Sequence, residues 1–287
     1  MTPFQHFVAI DWSGAVGEWQ RGIAVAVADA RGGPPVLVRR DRGWRRTEIL
    51  ALLRDLPPAT LVGLDLGIAL PFADQGAYFP GWADSPLDAV SLWALVDRMA
   101  DGDPHLAATS FVDHPQSSRH FRRQGGREGD LFGGGRGRFR VTEREQERLG
   151  CKPYSNFNLV GAAQVGKSSL TGMRVLHRLG GAVPVWPMEQ PRNGASCIVE
   201  IYTTIAAIAA GRSAARAKIR DVASLNEALA NLHSLPVAGD GPIDDHASDA
   251  LLTAAWLRQV AGNPSLWNPA AMTPQIARTE GWTFGVP

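Results

Sequence analysis

Residues 5–11 climb through Phe7-Val8-Ala9-Ile10 and stop at Asp11, an apolar run of strand length with a carboxylate at its end. Trp19 to Ala28 alternates apolar and small residues at the strand period, and Pro35 to Arg39 makes a third, shorter strand. The spacing then turns helical: Ile49, Leu50, Leu52, Leu53 and Leu56 share one face of a helix over 47–56, which Pro57-Pro58 ends. Ala59 to Asp65 is continuously apolar, the pattern of a strand covered on both faces. Further on, the periodicity predicts helices over about 86–99, 168–179, 203–217 and 223–233, short strands near 183–187 and 197–202, and a last long helix starting near Asp244. Residues 112–160 keep no period and are rich in glycine and arginine.

That order predicts an α/β fold on a mixed sheet of about five strands with helices on both faces. The first three strands should be antiparallel, since their connections are too short for a parallel crossover. Asp11 should lie on the central strand and Asp65 on its neighbour. With no internal repeat, residues 1–287 read as a single domain carrying 112–160 as an irregular insertion.

Composition narrows the partners only a little. The chain is 45% hydrophobic and 20% charged, ordinary for a soluble protein, and its net charge of +1 gives no overall preference for polyanions. No apolar run approaches the ~20 residues of a membrane span, and the N-terminus begins in a strand pattern without the marks of a signal peptide. Two cysteines, Cys151 and Cys197, make neither a disulfide framework nor a zinc site. A reducing cytoplasm is the expected compartment.

The acids change the picture more. Asp11 and Asp65 close apolar strands, Glu200 interrupts Cys197-Ile198-Val199-Glu200-Ile201-Tyr202, and Asp249 sits in the alanine-rich last helix. A carboxylate in an apolar strand is costly to bury without a compensating cation, proton or partner. Together they make a candidate site for hard divalent ions, the chemistry of a two-metal phosphodiesterase or phosphoryl transferase. On the last helix Asp245 and Asp249 are four apart and His246 and Asp249 three apart, so either pair shares a face. Plainer readings stay open: Asp244-Asp245 as a helix cap and its dipole partner, and Glu200 as half of an ion pair.

The segments Ala9-Ile10-Asp11-Trp12-Ser13-Gly14, Val62-Gly63-Leu64-Asp65-Leu66-Gly67, Val199-Glu200-Ile201-Tyr202, Asp245-His246-Ala247-Ser248-Asp249-Ala250-Leu251 and Glu280-Gly281-Trp282-Thr283-Phe284-Gly285 resemble a bacterial and archaeal family. It is catalogued as domain of unknown function 429 and described as predicted RNase H-like nucleases. The resemblance spans nearly the whole chain in short motifs. It implies a ribonuclease H-like fold and a Mg2+ or Mn2+ site in which Asp11 bridges two ions while Asp65 and Asp249 hold one each. Glu200 is then an extra ligand or a water-orienting group. A likeness to the RuvC-type junction resolvases of the same superfamily favours His246 over Asp245 as the partner of Asp249.

Two further segments bear on phosphate. Gly161-Ala162-Ala163-Gln164-Val165-Gly166-Lys167-Ser168 fits the phosphate-loop pattern. The preceding strand is short, however, and no apolar run downstream ends in the aspartate such a loop needs. Lys167 is therefore expected near the first turn of a helix, contacting substrate phosphate at most. From Arg119 to Arg140, seven arginines are interleaved with Phe121, Phe132 and Phe139, which suggests phosphate pairing and base stacking, with Arg136, Arg138 and Arg140 as phosphate contacts. The alternative is a solvated loop paired with Glu143, Glu145 and Glu147. The expected function is a metal-dependent nuclease acting on nucleic acid or nucleotide. The rivals are an ATP-dependent phosphotransferase of the actin and sugar-kinase type, with Ser13 in a phosphate hairpin, and a non-catalytic nucleic-acid-binding protein.

Overall fold

A computed structural model of the chain describes residues 4–161, 165–213 and 218–287. In chain order it contains β1 (His6–Asp11), β2 (Ala24–Asp29), β3 (Val36–Leu37), α1 (Arg46–Arg54), β4 (Thr60–Asp65), α2 (Ala89–Met99) and α3 (Thr109–Asp113). A small hairpin, β5 (Arg122–Arg123) and β6 (Arg127–Glu128), precedes α4 (Val141–Arg148) and α5 (Val165–Leu179). Then come β7 (Cys197–Glu200), α6 (Thr203–Ala209), α7 (Val222–Asn231), α8 (Asp245–Val260) and α9 (Pro274–Thr279).

The main sheet has the order β3-β2-β1-β4-β7. The first three strands run antiparallel, and β4 and β7 are parallel to β1. The side-chain period of two separates the faces. Val8, Ile10, Val62 and Leu64 join one core with α2 and α5, whereas Phe7, Ala9, Leu61 and Val199 join the other with α6, α7 and α8. A mixed five-stranded sheet flanked by helices is the result. The tail joins it: Thr283 bridges Glu200, the Phe284 N–H donates to the Glu200 carbonyl (2.8 Å), and Trp282 and Phe284 are fully buried. No helix among the described residues is long and apolar enough to cross a membrane.

Several expected boundaries move. The second strand shortens to β2, because Gln20 bridges Trp44 instead of continuing the ladder. The strand near 183–187 is reduced to one bridge between Val185 and Ile198. The helix expected over 203–217 ends at Ala209, and its residues 214–217 lie outside the described residues. The insertion is not an open aromatic platform. Phe121, Phe132 and Phe139 are buried, and the first two belong to the core over α2 and α5.

Candidate active site

The site starts from strand register. β1 pairs with β4 so that Asp11 lies directly beside Asp65, both at the carboxyl ends of parallel strands, the edge at which open α/β sheets bind ligands. Both occupy odd positions, in phase with Phe7, Ala9 and Leu61, so both face the layer of α8. Helix α8 packs across β1 and β2. Its N-cap is Asp244, whose side chain accepts from the Ala247 N–H, and the next turns carry His246 and Asp249. His246 Nδ1 lies 2.7 Å from Asp11 Oδ2.

Electrostatics tie the three carboxylates into one group. Burial raises the Asp11 carboxyl, and the hydrogen bond and charge of His246 oppose that rise. Asp65 is pushed well above the usual carboxylate range by burial and then by the charges of Asp11 and Asp249. Its compensation is slight: the Thr203 backbone N–H, and a long contact from Thr203 Oγ1 at 3.4 Å. Burial, then Asp11 and Asp245, push Asp249 up to about 7. His246 moves upward too, chiefly through its hydrogen bond to Asp11. Among the described residues neither Asp65 nor Asp249 has an ion-pair partner.

The loops behind the acids are pinned from several sides. Arg46, buried at the start of α1, donates to the carbonyls of Ser13 (2.9 Å) and Ala15 (2.7 Å). The Trp12 indole donates to Thr171 Oγ1 on α5 (3.0 Å), and the Gly67 N–H donates to Ser169 Oγ (3.2 Å). Gly14 lies against the backbone of Lys167 and Ser168, where a Cβ would collide. This sets the first turn of α5 beside Ser13, as expected for Lys167. The Gly166 N–H donates to the Asn158 carbonyl (3.1 Å), and a Cβ there would strike the Asn156 carbonyl. Gly166 thus serves packing of the helix start, and its N–H is not free to cradle phosphate. Ala162, Ala163 and Gln164 of the loop pattern lie outside the described residues.

Five of the expected site residues stand elsewhere. Glu200 sits opposite Leu64 in the β4–β7 register and in phase with Ile198, so its side chain leaves toward the face away from Asp11 and Asp65. There it accepts from Arg140 Nη1 and Nη2 (2.8 and 2.5 Å) and the Ile68 N–H (2.8 Å), the ion-pair reading rather than a ligand. Arg140, fully buried, also binds Glu143 (2.6 Å). Burial alone would lower its guanidinium, but Glu143 and Glu200 more than offset that. Arg138 is likewise buried, forked onto Asp74 (2.8 and 2.6 Å) and donating to the carbonyls of Pro71, Ala77 and Tyr78. Arg140 cannot turn to a substrate phosphate without stranding two buried carboxylates, nor Arg138 without giving up its Asp74 fork and three carbonyls. Arg136 is exposed but pairs with Glu147 (2.5 Å) and donates to the Pro153 carbonyl (2.7 Å). Asp245 pairs with Lys218 (2.5 Å) and Arg220 (3.6 Å), and the Lys218 hydrogen bond lowers its carboxyl, so it stands in an ion pair rather than as a ligand.

A cavity of about 650 Å3 opens over the strand ends, lined by Ser13, Asp65, Ser168, Lys218 and His246. Tyr154, Asn156 and Tyr202 also line it. Sequence reasoning missed these three, since Tyr154 and Asn156 come from the aperiodic insertion and Tyr202 follows a strand as any aromatic can. Lys167 lines a second cavity of about 230 Å3 on the far side of Gly14. Among the described residues no group of three or more His, Cys, Asp and Glu side chains stands arranged to hold a metal ion; Asp11 Oδ2 is taken by His246. The donor chemistry nonetheless suits a hard divalent cation, for Asp11, Asp65 and Asp249 are carboxylates that raise one another's proton affinity.

Comparison of the chain with protein-family models, curated proteins and solved structures returned no significant match, so the functional reading rests on the site.

Proposed function

We propose that this protein is a Mg2+- or Mn2+-dependent nuclease of the ribonuclease H-like type, hydrolysing phosphodiester bonds in a reducing cytoplasm. The observation that carries the reading is the Asp11–Asp65 register pair, with Asp249 of α8 in the same electrostatic group and little positive charge beside Asp65. Supporting it are the strand order, with three antiparallel strands followed by two parallel to the first, and the helix bearing His246 and Asp249 over the central strands.

Asp11, Asp65 and Asp249 would hold the ion. Bound there, it would neutralise charge on the phosphodiester and lower the pKa of an attacking water. The chain's own contribution is orientation and proton handling. His246, held through Nδ1 by Asp11, keeps Nε2 for giving or taking a proton. Arg46 and the Trp12 indole fix the Ser13 turn at the cavity wall. The Arg140–Glu200–Glu143 cluster is a positioning device: Glu200 grips the Ile68 N–H, so the chain leaving Asp65 is tied to the strand beside it.

The test is a panel of single-stranded and duplex DNA and RNA incubated with pure protein, with Mg2+, Mn2+ or chelator, alongside ATP turnover. Cleavage that requires the metal supports the proposal. ATP turnover abolished by Lys167→Ala, with no polynucleotide cut, would sink it.

A further inference from the structure

The densest cationic run in the chain lies outside the site: Arg39-Arg40-Asp41-Arg42-Gly43-Trp44-Arg45-Arg46 holds five arginines in eight residues. Arg46 is committed to the Ser13 turn and Arg45 pairs with Glu18 (2.8 Å). Arg39, Arg40 and Arg42, together with Arg21, are exposed and have no ion pair with an acidic side chain among the described residues. The contrast with the insertion is sharp. Six of the seven arginines between 119 and 140 are paired with carboxylates, namely Asp130, Glu128, Asp113, Glu147, Asp74 and the Glu143–Glu200 pair.

The unpaired guanidiniums line a groove of about 780 Å3 along the β2–β3 edge of the sheet. Trp19 and Trp44 also line it. Arg40 lies over the Trp44 ring, 4.7 Å from its centroid, and Arg42 and Arg45 lie 6.0 and 4.0 Å from the centroid of Trp19. Four guanidiniums face two carboxylates, Asp41 and Asp244, so the groove is net positive. It also reaches the candidate active site. Asp244 and Ala247 on its wall flank His246, and Gly22, next to Arg21, is so near that a Cβ there would lie 3.3 Å from His246 Nε2 and 3.2 Å from Ser13 Oγ.

We propose that this groove is a binding track for a single-stranded polynucleotide, whose phosphates run past Arg39, Arg40, Arg42 and Arg21 toward His246. Guanidinium forks match phosphate oxygens, and the half-exposed Trp19 indole offers a face to an unstacked base, while Trp44 is buried beneath Arg40. A duplex keeps its base faces stacked inside and would leave Trp19, which is half-exposed, unused. The proposal rests on the nuclease reading for where the strand leads, but not for whether it binds.

Fluorescence anisotropy of labelled single-stranded DNA and RNA oligonucleotides on the full chain, in chelator so that nothing is cut, tests it. Arg39→Gln/Arg40→Gln/Arg42→Gln should weaken binding at least ~10-fold. It should also reduce the slope of log affinity against log salt by about 2, since each single-strand phosphate contact adds about 0.7. Trp19→Ala should weaken single-strand binding and leave duplex binding unchanged. The track is overturned if the wild-type chain binds no oligonucleotide, or if the triple variant, melting like wild type, keeps wild-type affinity and slope. Displacement by poly-glutamate as effective as by unlabelled oligonucleotide would also overturn it, in favour of an acidic peptide. Groove-dependent binding without cleavage in Mg2+ removes the nuclease reading and leaves the track standing; metal-dependent cleavage indifferent to the triple variant does the reverse.

Discussion

Replacing Asp249 with asparagine should stabilise the metal-free protein above neutral pH, although it alters a site residue. Burial, then Asp11 and Asp245, push this carboxyl up to about 7 from its usual 3.8. Between those values the folded chain keeps a proton that the unfolded chain has released. Folding stability therefore falls as pH rises through the window, and the full cost of the buried charge is present above about pH 7. The gap corresponds to about 4 kcal/mol at ~1.4 kcal/mol per pH unit. That is an upper bound, because Asp249 retains partial exposure and the new amide must itself be solvated. Recovery of about half, ~2 kcal/mol, would raise Tm by roughly 4–8 °C at the 2–4 °C per kcal/mol of domains somewhat smaller than this one. Urea unfolding in chelator at about pH 5 and about pH 8.5 measures it, as a shift in midpoint at constant slope. The variant's advantage should be smaller at the lower pH, where only about a third of the window has been crossed, and larger at the higher. Mg2+ should narrow the difference by stabilising wild type more, since the ion binds the folded carboxylates. A variant less stable than wild type at the higher pH, or a difference independent of pH, would refute the reasoning.

Arg140→Met should cost about 3–5 kcal/mol in chemical unfolding, because it strands Glu143 and Glu200 as buried unpaired charges; a loss under 1 kcal/mol would mean the cluster is not holding the β7 edge. The imidazole of His246, followed by NMR, should titrate above its usual 6.5 and fall back in Asp11→Asn. The stability it supplies is present below about 6.5 and lost as pH rises through the raised value. Asp245→Ala should change stability by less than ~1 kcal/mol and spare cleavage, since its partner Lys218 is largely exposed; loss of metal dependence in that variant would return Asp245 to the site.

Much of this was readable from alternation alone. Phe7-Val8-Ala9-Ile10 and Leu61-Val62-Gly63-Leu64 each end on an aspartate in the same phase, so pairing the two strands in parallel brings both acids to one face. Glu200 has the same kind of surroundings in sequence, but its face depends on the β4–β7 register, which no local pattern reveals. The arginines failed for a different reason. Charge density says nothing about which cations are paired: Arg138 finds Asp74 sixty-four residues away, and Arg140 finds Glu200 sixty residues away. Arg39, Arg40 and Arg42 have no such distant partner among the described residues, and their run stood in plain view between a strand and a helix.

Under the proposed function, Asp11, beside Asp65 and under His246, is essential to a metal-dependent phosphodiester cleavage. The most direct measurement is the Mg2+-dependent cleavage rate of Asp11→Asn against wild type, both purified identically and shown by circular dichroism to be folded. The expected result is a loss of at least ~100-fold (about 2.7 kcal/mol of transition-state stabilisation), with oligonucleotide binding in chelator largely kept. Cleavage by Asp11→Asn at the wild-type rate, in a preparation free of contaminating nuclease, would contradict it.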